Sequence, residues 1–208
     1  MKTLLPKLAA ASAVALVIFA APAQAADKAE ILGNADRTVT HLKHDPAFAT
    51  AARMMSGARA VYIVPKLVKG GFIFGAEGGA GVLVPRTARG GGEPKFYDMG
   101  SASFGLQAGL EQAELVFIIN SERALSGIEH GNFKLGAGAG VTVVNLSSGA
   151  EGATTAHGGD IVVWTSGTGA YAGISFNGSV ISPDKDMNAT PTVGPEAQRL
   201  RANLASVR

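Results

Sequence analysis

Cysteine is absent from the 208-residue chain. Disulfide bonds, thiolate metal sites, a catalytic cysteine and an acylated N-terminal cysteine are therefore excluded. Aromatic residues (6%) and charged residues (16%) are also scarce, whereas 47% of the chain is apolar and 28 residues are glycine. A chain without disulfides depends on its hydrophobic core, and this apolar content is ample for one. Because the glycines follow no collagen period, they indicate closely packed strands and tight turns.

The first 25 residues have the pattern of a secretory signal peptide. Two lysines precede an apolar run, 8–21, that is short for a membrane span, and residues 23–25 (Ala-Gln-Ala) have the small side chains of a cleavage site. We expect cleavage after Ala25, which leaves 26–208 as an exported protein that is periplasmic, peripherally membrane-associated or secreted, with no transmembrane span. The alternative is an uncleaved N-terminal anchor.

The charge of the chain gives no reason to expect a nucleic-acid partner. The whole chain has 18 basic and 16 acidic residues, but the predicted signal peptide carries two lysines and no acid. The remaining domain is therefore formally neutral. Attraction to an anionic surface has to come from local patches.

Residues 26–57 are predicted to be helical. Within Asp27–Lys43 apolar residues recur at helical spacing, and the Asp45-Pro46 pair ends that helix. A second helix is expected over Pro46–Ser56, closed by Gly57. The apolar positions of the first helix are Ile31, Ala35, Val39 and Leu42.

From residue 58 to 184 the apolar period changes to two, which is typical of β-strands. A strand over Ala60–Val64 is followed by a predicted turn or one-turn helix over Pro65–Lys69, and Ser121 starts a short inserted helix that ends near His130. Bulky apolar residues on one face alternate with Gly, Ser or Ala on the other, and such small-residue stripes persist where another backbone comes close. Further strands are predicted over 72–84, 96–110, 133–146, 161–165 and 171–181.

These patterns predict an α+β fold. Its core is a Gly-rich, strongly curled antiparallel β-sheet, partly barrel-like, with N-terminal helices and a short inserted helix. No linker or charge block divides residues 26–208, so we expect one domain. Its last part, 185–208, is expected to be a loosely ordered tail.

No motif predicts catalysis, and neither an enzyme activity nor a cofactor or metal is expected. His41 and His44 are three residues apart beside Asp45, but no third ligand follows at a recognisable spacing. The segment 100–103 (Gly-Ser-Ala-Ser) lacks the second glycine of a nucleophile elbow. The segment 75–81 resembles a phosphate loop in composition only, because no Lys-Ser/Thr pair and no helix follow it.

Four polar residues lie on the small-residue faces of different predicted strands: Glu77, Gln107, Glu111 and Lys134. If these faces meet, Lys134 pairs with a carboxylate inside the fold. Such an ion pair would serve strand register rather than stability. The alternative interpretation is a head-group or acid–base site.

Basic residues next to apolar ones form the candidate binding site. Lys66 and Lys69 flank the predicted turn that carries Leu67 and Val68. Basic side chains around an apolar tip suit a membrane interface, where the apolar group inserts and the cations meet phosphates. The alternative is that Leu67 and Val68 belong to the core. The helical region before the turn adds Lys28, Arg37, Lys43, Arg53 and Arg59.

Three segments resemble the SYLF domain family of lipid-binding and actin-binding domains. They are Ala58–Arg86, which contains PKLVKGGF, Pro94–Val144, which contains SASFGLQAG and FKLGAGAG, and Ile161–Asp184. The three motifs in this order are specific, whereas a single glycine motif is not. Residues 188–192 lack the paired tyrosines that often follow Asn in this family.

The resemblance implies non-enzymatic binding of anionic phospholipids, phosphoinositides (phosphatidylinositol lipids) in eukaryotes, and some eukaryotic members also bind actin. The family uses basic residues and an amphipathic N-terminal helix, and the matching positions here are Asp27–Lys43 and the Lys66/Lys69 turn. A bacterial-style signal peptide favours a generic anionic phospholipid head group at a membrane surface. The alternative partner is an envelope protein, in which case the domain is an interaction or structural module.

Overall fold

The structure, a computed structural model, describes residues 20–71, 74–87, 90–104, 109–131, 133–135, 142–146, 159–166 and 178–207. The helices are α1 (Ala20–Lys43), α2 (Phe48–Gly57), α3 (Glu122–Glu129) and α4 (Pro195–Ala205), with a 3-10 turn at Met187–Ala189. The strands are β1 (Ala60–Gly71), β2 (Phe74–Thr87), β3 (Gly90–Gly91), β4 (Lys95–Phe104), β5 (Gly109–Ile119), β6 (Phe133–Lys134), β7 (Val143–Leu146), β8 (Ile161–Thr165) and β9 (Val180–Pro183).

The strands form one curled sheet in the order β6-β9-β4-β2-β1-β5-β8-β7, with β3 added to β2. Neighbouring strands are antiparallel except for β7 and β8, which are parallel. The predicted α+β fold with a curled, partly barrel-like sheet is confirmed.

Of the predicted strand over 133–146, the described residues form two short strands, β6 and β7, which lie at the two ends of the strand order. Residues 136–141 between them lie outside the described part of the chain. Of the predicted strand over 171–181, residues 171–177 lie outside the described part of the chain.

One face of the sheet, which we call the helical face, is covered by α1, α2 and α4. Ala35, Val39 and Leu42 of α1 are fully buried in its core cluster, and Ile31 packs partly buried against the same cluster. The predicted apolar spacing of this helix is therefore confirmed. Burial of a large apolar side chain contributes about 1.5–3 kcal/mol, so α1 is part of the core.

The opposite, concave face holds a second core cluster. The ring of Tyr62 contacts those of Tyr97 and Phe117, with centroid distances of 6.2 and 5.5 Å. The Tyr62 hydroxyl donates a hydrogen bond to the Tyr97 carbonyl oxygen at 3.1 Å. Burial raises the pKa of Tyr62 well above its ordinary value, which fits a phenol that stays neutral inside the fold.

The inserted helix α3 is anchored at its N-terminus by a polar cluster. Ser121 accepts a hydrogen bond from the Ala124 amide at 3.2 Å, which confirms the predicted N-cap. Asp160 accepts one from the Thr142 amide at 2.9 Å and lies 3.3 Å from Arg123 Nη2. Hydrogen bonds from Ser121 and Thr142, together with the charge of Arg123, lower the pKa of Asp160 to about 2.

β1 is one continuous strand, and the predicted turn over Pro65–Lys69 is wrong. Pro65 and Lys66 together oppose the single residue Glu114 of β5, which is the pattern of a β-bulge. Because proline cannot donate a ladder hydrogen bond, a proline inside a sheet is confined to such irregularities. The pairs that flank the bulge are Val64–Leu115 and Leu67–Ala113.

The small-residue stripe of β2 lies against this bulge. A Cβ atom at Gly79 would lie 2.5 Å from the Lys66 carbonyl oxygen, and one at Gly81 would lie 2.6 Å from that of Ile63. Real side chains do not come this close. The close backbone approach that the stripe predicts is therefore found at these two glycines.

The C-terminal residues 184–207 form an ordered segment, the C-terminal strap, so the predicted loose tail over 185–208 is wrong. Leu200 and Leu204 of α4 are buried in the helical-face cluster. Before α4, the Asn188 side chain binds the edge of β4. Its Nδ2 donates to the Phe96 carbonyl oxygen at 2.8 Å, and its Oδ1 accepts from the Phe96 amide at 2.9 Å.

At the other end of the chain, α1 is described from Ala20 onward. The predicted cleavage site after Ala25 falls within this helix, and residues 1–19 lie outside the described residues. None of the described helices is both long and apolar enough to cross a membrane.

Candidate functional site

Past the bulge, four strands continue as a projection that we call the distal sheet. It consists of residues 67–71 of β1, 74–79 of β2, 99–104 of β4 and 109–113 of β5. The helical layer ends before it, because Val68 is only partly buried and Gln112, its partner on β5, is exposed. The connecting residues 72–73 and 105–108 lie outside the described part of the chain.

The register divides the distal sheet into two unlike faces, because successive residues of a strand lie on opposite faces. The face that continues the helical face carries Val68, Gly70, Phe74, Ala76, Gly78, Gly100, Ala102, Phe104, Leu110 and Gln112. The concave face carries Lys69, Glu77, Ser101 and Glu111 in one row and Gly71, Gly75, Ser103 and Gly109 in the next. The projection is thus uncharged on one face and polar on the other.

The polar row crosses four strands of the concave face. Lys69 pairs in register with Glu77 on β2 and with Glu111 on β5. Ser101 Oγ donates to Glu77 Oε1 at 2.7 Å, and the buried Ser179 Oγ lies 3.5 Å from the same oxygen. Opposite charges at directly opposed positions favour one pairing of the strands over a shifted one. The row therefore supports the structural interpretation of these polar residues.

Lys134 does not belong to this row. It lies on β6 opposite Val180, and its side chain is exposed, so the predicted pairing with a carboxylate inside the fold is wrong. Gln107 lies outside the described residues. Sequence reasoning missed the place of Lys69 because the bulge before it changes which residues of β1 share a face.

Lys66 lies at the base of the distal sheet. Its side chain is exposed, and no ion pair to it occurs among the described residues. Leu67, in contrast, is fully buried in the concave core. Val64 is buried in the same cluster, so the two bulged residues between them, Pro65 and Lys66, belong to the helical face. The interpretation of Leu67 as an exposed tip is wrong, and its assignment to the core is confirmed.

Two of the other predicted basic residues are engaged by the C-terminal strap. Lys28 Nζ donates to Thr190 Oγ1 at 2.8 Å. Lys43 Nζ donates to the Asn203 carbonyl oxygen at 3.2 Å and to Ser206 Oγ at 2.8 Å. The charge of Lys43 therefore also lies at the C-terminus of α4, where a cation is favourable. Both lysines tie α1 to the strap.

The remaining predicted cations lie on different parts of the surface. Arg59 is at the end of β1 away from the distal sheet and forms a 3.8 Å ion pair with Glu122. Arg37 of α1 and Arg53 of α2 are exposed, and each donates to a neutral side chain three residues earlier in its own helix. The structure thus brings Arg37, Arg53 and Lys66 to the helical side of the sheet and separates them from Arg59.

A polar contact that sequence reasoning missed joins α1 to β5 beside the bulge. Glu114 Oε1 accepts from Thr38 Oγ1 at 2.8 Å, and Glu114 Oε2 lies 2.9 Å from His41 Nδ1. The signal was present, because Glu114 is the one charged residue in the apolar segment 113–119. His44 does not join His41, since its Nδ1 lies 2.8 Å from the Thr40 carbonyl oxygen. Among the described residues no group of three or more side chains could hold a metal ion.

Comparison with known proteins finds a matching family model and several similar proteins. The family model Ysc84, described as Las17-binding protein actin regulator, matches residues 100–191. Protein YSC84 of Saccharomyces cerevisiae is 33% identical over 127 residues, which cover 59% of this chain and 27% of that protein. SH3 domain-containing YSC84-like protein 1 of Homo sapiens is 28% identical over 149 residues, which cover 70% of this chain and 43% of that protein. No solved structure matches the chain significantly.

The chain spans less than half the length of either relative, so the likeness concerns a domain and not their whole architecture. The family match covers the end of β4, the whole of β5 and α3, and the start of the C-terminal strap. It therefore includes two strands of the distal sheet and agrees with the second and third of the sequence segments that carry the resemblance. Residues 100–191 thus match the Ysc84 (SYLF) family model, and the comparisons support the resemblance of this chain to that family.

Proposed function

We propose that this domain binds anionic phospholipid head groups at a membrane surface and catalyses no reaction. The observation that carries the proposal is Lys66, an exposed cation without an ion pair in the described structure, placed directly beside the uncharged face of the distal sheet. Arg37 and Arg53 add exposed positive charge on the same side of the sheet. This combination of cations and uncharged surface is the chemistry that an anionic lipid surface selects.

The expected energy of this contact is modest and depends on salt. Each cation close to an anionic leaflet contributes about 1 kcal/mol, so Lys66, Arg37 and Arg53 together supply roughly 3 kcal/mol. Screening at physiological ionic strength acts over about 8 Å. Binding should therefore weaken at high salt and should be much weaker on a neutral phospholipid.

Co-sedimentation with vesicles tests the proposal. The purified protein is mixed with phosphatidylcholine vesicles, with or without phosphatidylglycerol, at low and high salt. We expect binding to the anionic vesicles only, reduced about thirtyfold by Lys66→Glu and about fivefold by Lys66→Gln, because reversing one charge changes the surface energy by about 2 kcal/mol and removing it changes that energy by about 1 kcal/mol. Any contribution of residues 1–25 is common to parent and variants and cancels in the comparison.

Lys185→Glu is the matched control, because Lys185 is also exposed and lies in the turn after β9. Lys69 is not reversed, since it stands in register between Glu77 and Glu111 and its reversal would place three carboxylates in one row. Unchanged binding of Lys66→Glu, or an equal loss with Lys185→Glu, would contradict the site. Absence of binding by the parent protein would contradict the function.

The second candidate function is a protein-interaction module. Its support is the family description, Las17-binding protein actin regulator. In this case the domain contacts a protein, and binding to vesicles is weak and indifferent to their charge. An envelope protein is then the expected partner, since we propose that the chain is exported and processed after Ala25. Mass spectrometry of the protein from the expressing cell should give a mature N-terminus at Ala26.

A further inference from the structure

We propose that His41 belongs to the head-group site and makes it sensitive to pH: protonation of its ring turns the charge beside Lys66 positive and strengthens binding to an anionic lipid surface. The inference rests on the proposed function and adds to it a form of regulation. It is carried by the contact of His41 with Glu114, the residue of β5 that lies opposite the bulge.

Glu114 lies between His41 and Lys66. On one side its strand neighbour is the bulged pair of β1, Pro65 and Lys66. On the other side its Oε2 atom lies 2.9 Å from His41 Nδ1, and its Oε1 atom accepts a hydrogen bond from Thr38 Oγ1 at 2.8 Å. Because α1 engages the carboxylate, Glu114 forms no ion pair with Lys66 in the described structure. Neighbouring strands are about 4.8 Å apart, so the three side chains share one small area on the helical side of the sheet.

Protonation of one ring changes the net charge of this area. With a neutral His41, the Glu114 carboxylate offsets the ammonium group of Lys66, and the three side chains have no net charge. A protonated His41 offsets the carboxylate instead, and the charge of Lys66 is left over. Histidine is the side chain whose charge changes between about pH 5 and 8, so mild acid is sufficient. An anionic lipid layer attracts the protonated form more strongly.

His41 can take up this proton without a rearrangement of the fold. Its Nδ1 atom faces a carboxylate oxygen, which places the proton of the neutral ring on Nδ1. The other ring nitrogen, Nε2, has no hydrogen-bond partner among the described residues, and the side chain is 59% exposed. The second proton therefore binds at Nε2, and the contact with Glu114 is kept.

The neighbouring charges on the same stretch of chain do not cancel the change. Arg37 lies four residues before His41 and Asp45 four residues after it, and their opposite charges offset each other. Lys43 is turned to the end of α4, where it donates to a carbonyl oxygen at 3.2 Å. His44 is also exposed, but its Nδ1 lies 2.8 Å from a carbonyl oxygen of α1 and not beside a carboxylate.

The elements packed around α1 contribute few further charges to this area. The strands contribute Lys66 of β1 and Glu114 of β5. From α4 this turn of α1 receives a neutral side chain, because Asn203 Nδ2 donates to Thr40 Oγ1 at 3.2 Å. Arg53 of α2 is exposed on the same side of the sheet and adds a fixed positive charge. His41 is therefore the group through which pH acts on the charge beside Lys66.

Co-sedimentation at two pH values tests the inference. The protein is mixed with vesicles of phosphatidylcholine and phosphatidylglycerol at pH 7.5 and pH 5.5 and at constant ionic strength, and the lipid phosphodiester stays ionised at both. We expect the parent protein to bind about fivefold more tightly at pH 5.5, the factor that corresponds to roughly 1 kcal/mol for one cation near the leaflet. For His41→Gln, whose amide can still donate to Glu114, the increase should be less than twofold. High salt should reduce the increase in the parent protein.

His130→Gln is the matched control. His130 is exposed too, and its Nδ1 lies 2.6 Å from the Ser126 carbonyl oxygen, but it follows α3 on the concave side of the sheet. This variant should keep the full increase. Glu114→Gln tests the charge itself, because loss of the carboxylate should strengthen binding at pH 7.5 about fivefold, while the amide oxygen still accepts from Thr38. Thermal unfolding without lipid at both pH values verifies the fold, and the histidine variants keep the test valid if Glu114→Gln fails to fold.

The outcomes separate this inference from the proposed function. Equal binding of the parent protein at both pH values, or the same increase in His41→Gln as in His130→Gln, overturns the inference and leaves the proposed function in place. Failure of the parent protein to bind anionic vesicles at either pH overturns both. An increase that His44→Gln removes and His41→Gln keeps overturns the role of the contact with Glu114.

Discussion

Replacement of Gly79 by alanine tests the bulge on which the site is built. The new Cβ atom would lie 2.5 Å from the Lys66 carbonyl oxygen, 2.8 Å from Val64 Cγ1 and 3.2 Å from the Leu67 Cα atom. The nearest of these atoms belongs to the backbone of β1, which is held between β2 and β5 and has little room to move. Overpacking of this kind costs about 1–3 kcal/mol. The lower entropy of the unfolded chain returns only roughly 0.4–1 kcal/mol.

Gly78→Ala is the matched control, because a Cβ atom there would lie 3.6 Å from the nearest atom, an ordinary contact. This change should be neutral or slightly stabilising. The two variants should therefore differ by about 2 kcal/mol in free energy of unfolding, or roughly 4–8 °C in melting temperature. Urea denaturation followed by circular dichroism measures the difference. If Gly79→Ala unfolds at the same urea concentration as Gly78→Ala, β1 does not approach β2 as described and the placement of Lys66 fails with it.

Two further predictions concern polar contacts that hold the fold. Asn188→Ala removes both hydrogen bonds to the Phe96 backbone and should destabilise the protein by about 1–3 kcal/mol, with Asn188→Asp intermediate because it keeps only the acceptor. Equal urea midpoints for all three proteins would show that the strap is not held at this edge. Asp160 has a pKa of about 2 in the folded chain, below its ordinary 3.8, so its contribution is present above pH 4 and is lost as the pH falls towards 2. Asp160→Asn should remove this part of the acid sensitivity, about 1 kcal/mol at a site that solvent partly screens. Urea titrations at pH 6 and pH 3 that change equally in parent and variant would contradict this role.

The helices and the class of the sheet could be predicted because their signals are local. The apolar spacing of α1 and the Ser121 cap of α3 are each visible within a few neighbouring residues. The strap carried a similar signal that was missed. Ala197, Leu200, Leu204 and Val207 recur at helical spacing, and all four are buried.

The bulge could not be predicted, because it is defined by the partners of β1 and not by β1 itself. In sequence, Pro65 followed by Lys66 is typical of a turn. Only the pairing with β2 and β5 shows that the strand continues past the proline with one extra residue. The places of β6 and β7 at the two ends of the strand order are of the same kind, since they depend on the partner strand that each segment joins.

The candidate site could be predicted only in part for the same reason. Sequence reasoning identified Lys66 but gave Leu67 beside it an equal chance of exposure, and the bulge decides that Leu67 is buried. It could not separate cations that serve the fold, such as Lys43 at the end of α4, from exposed ones such as Arg53. Whether a cation serves the fold or stays exposed depends on contacts with residues that lie far away in sequence. Charge alone is therefore a poor guide to the binding face.

The packing of α1 decides which part of the molecule is available to a membrane. The family resemblance implies contact through an amphipathic N-terminal helix, but here Leu32, Val39 and Leu42 are at most 3% exposed, in the core of the helical face. Moving these three side chains into a lipid layer would first cost roughly 5–9 kcal/mol of core burial, which is comparable with the whole stability of a typical domain, about 5–15 kcal/mol. A membrane-bound state that keeps the fold must therefore use a surface outside this core. Lys66 meets that requirement, since its side chain is already exposed and does not have to leave the core before it can reach a lipid.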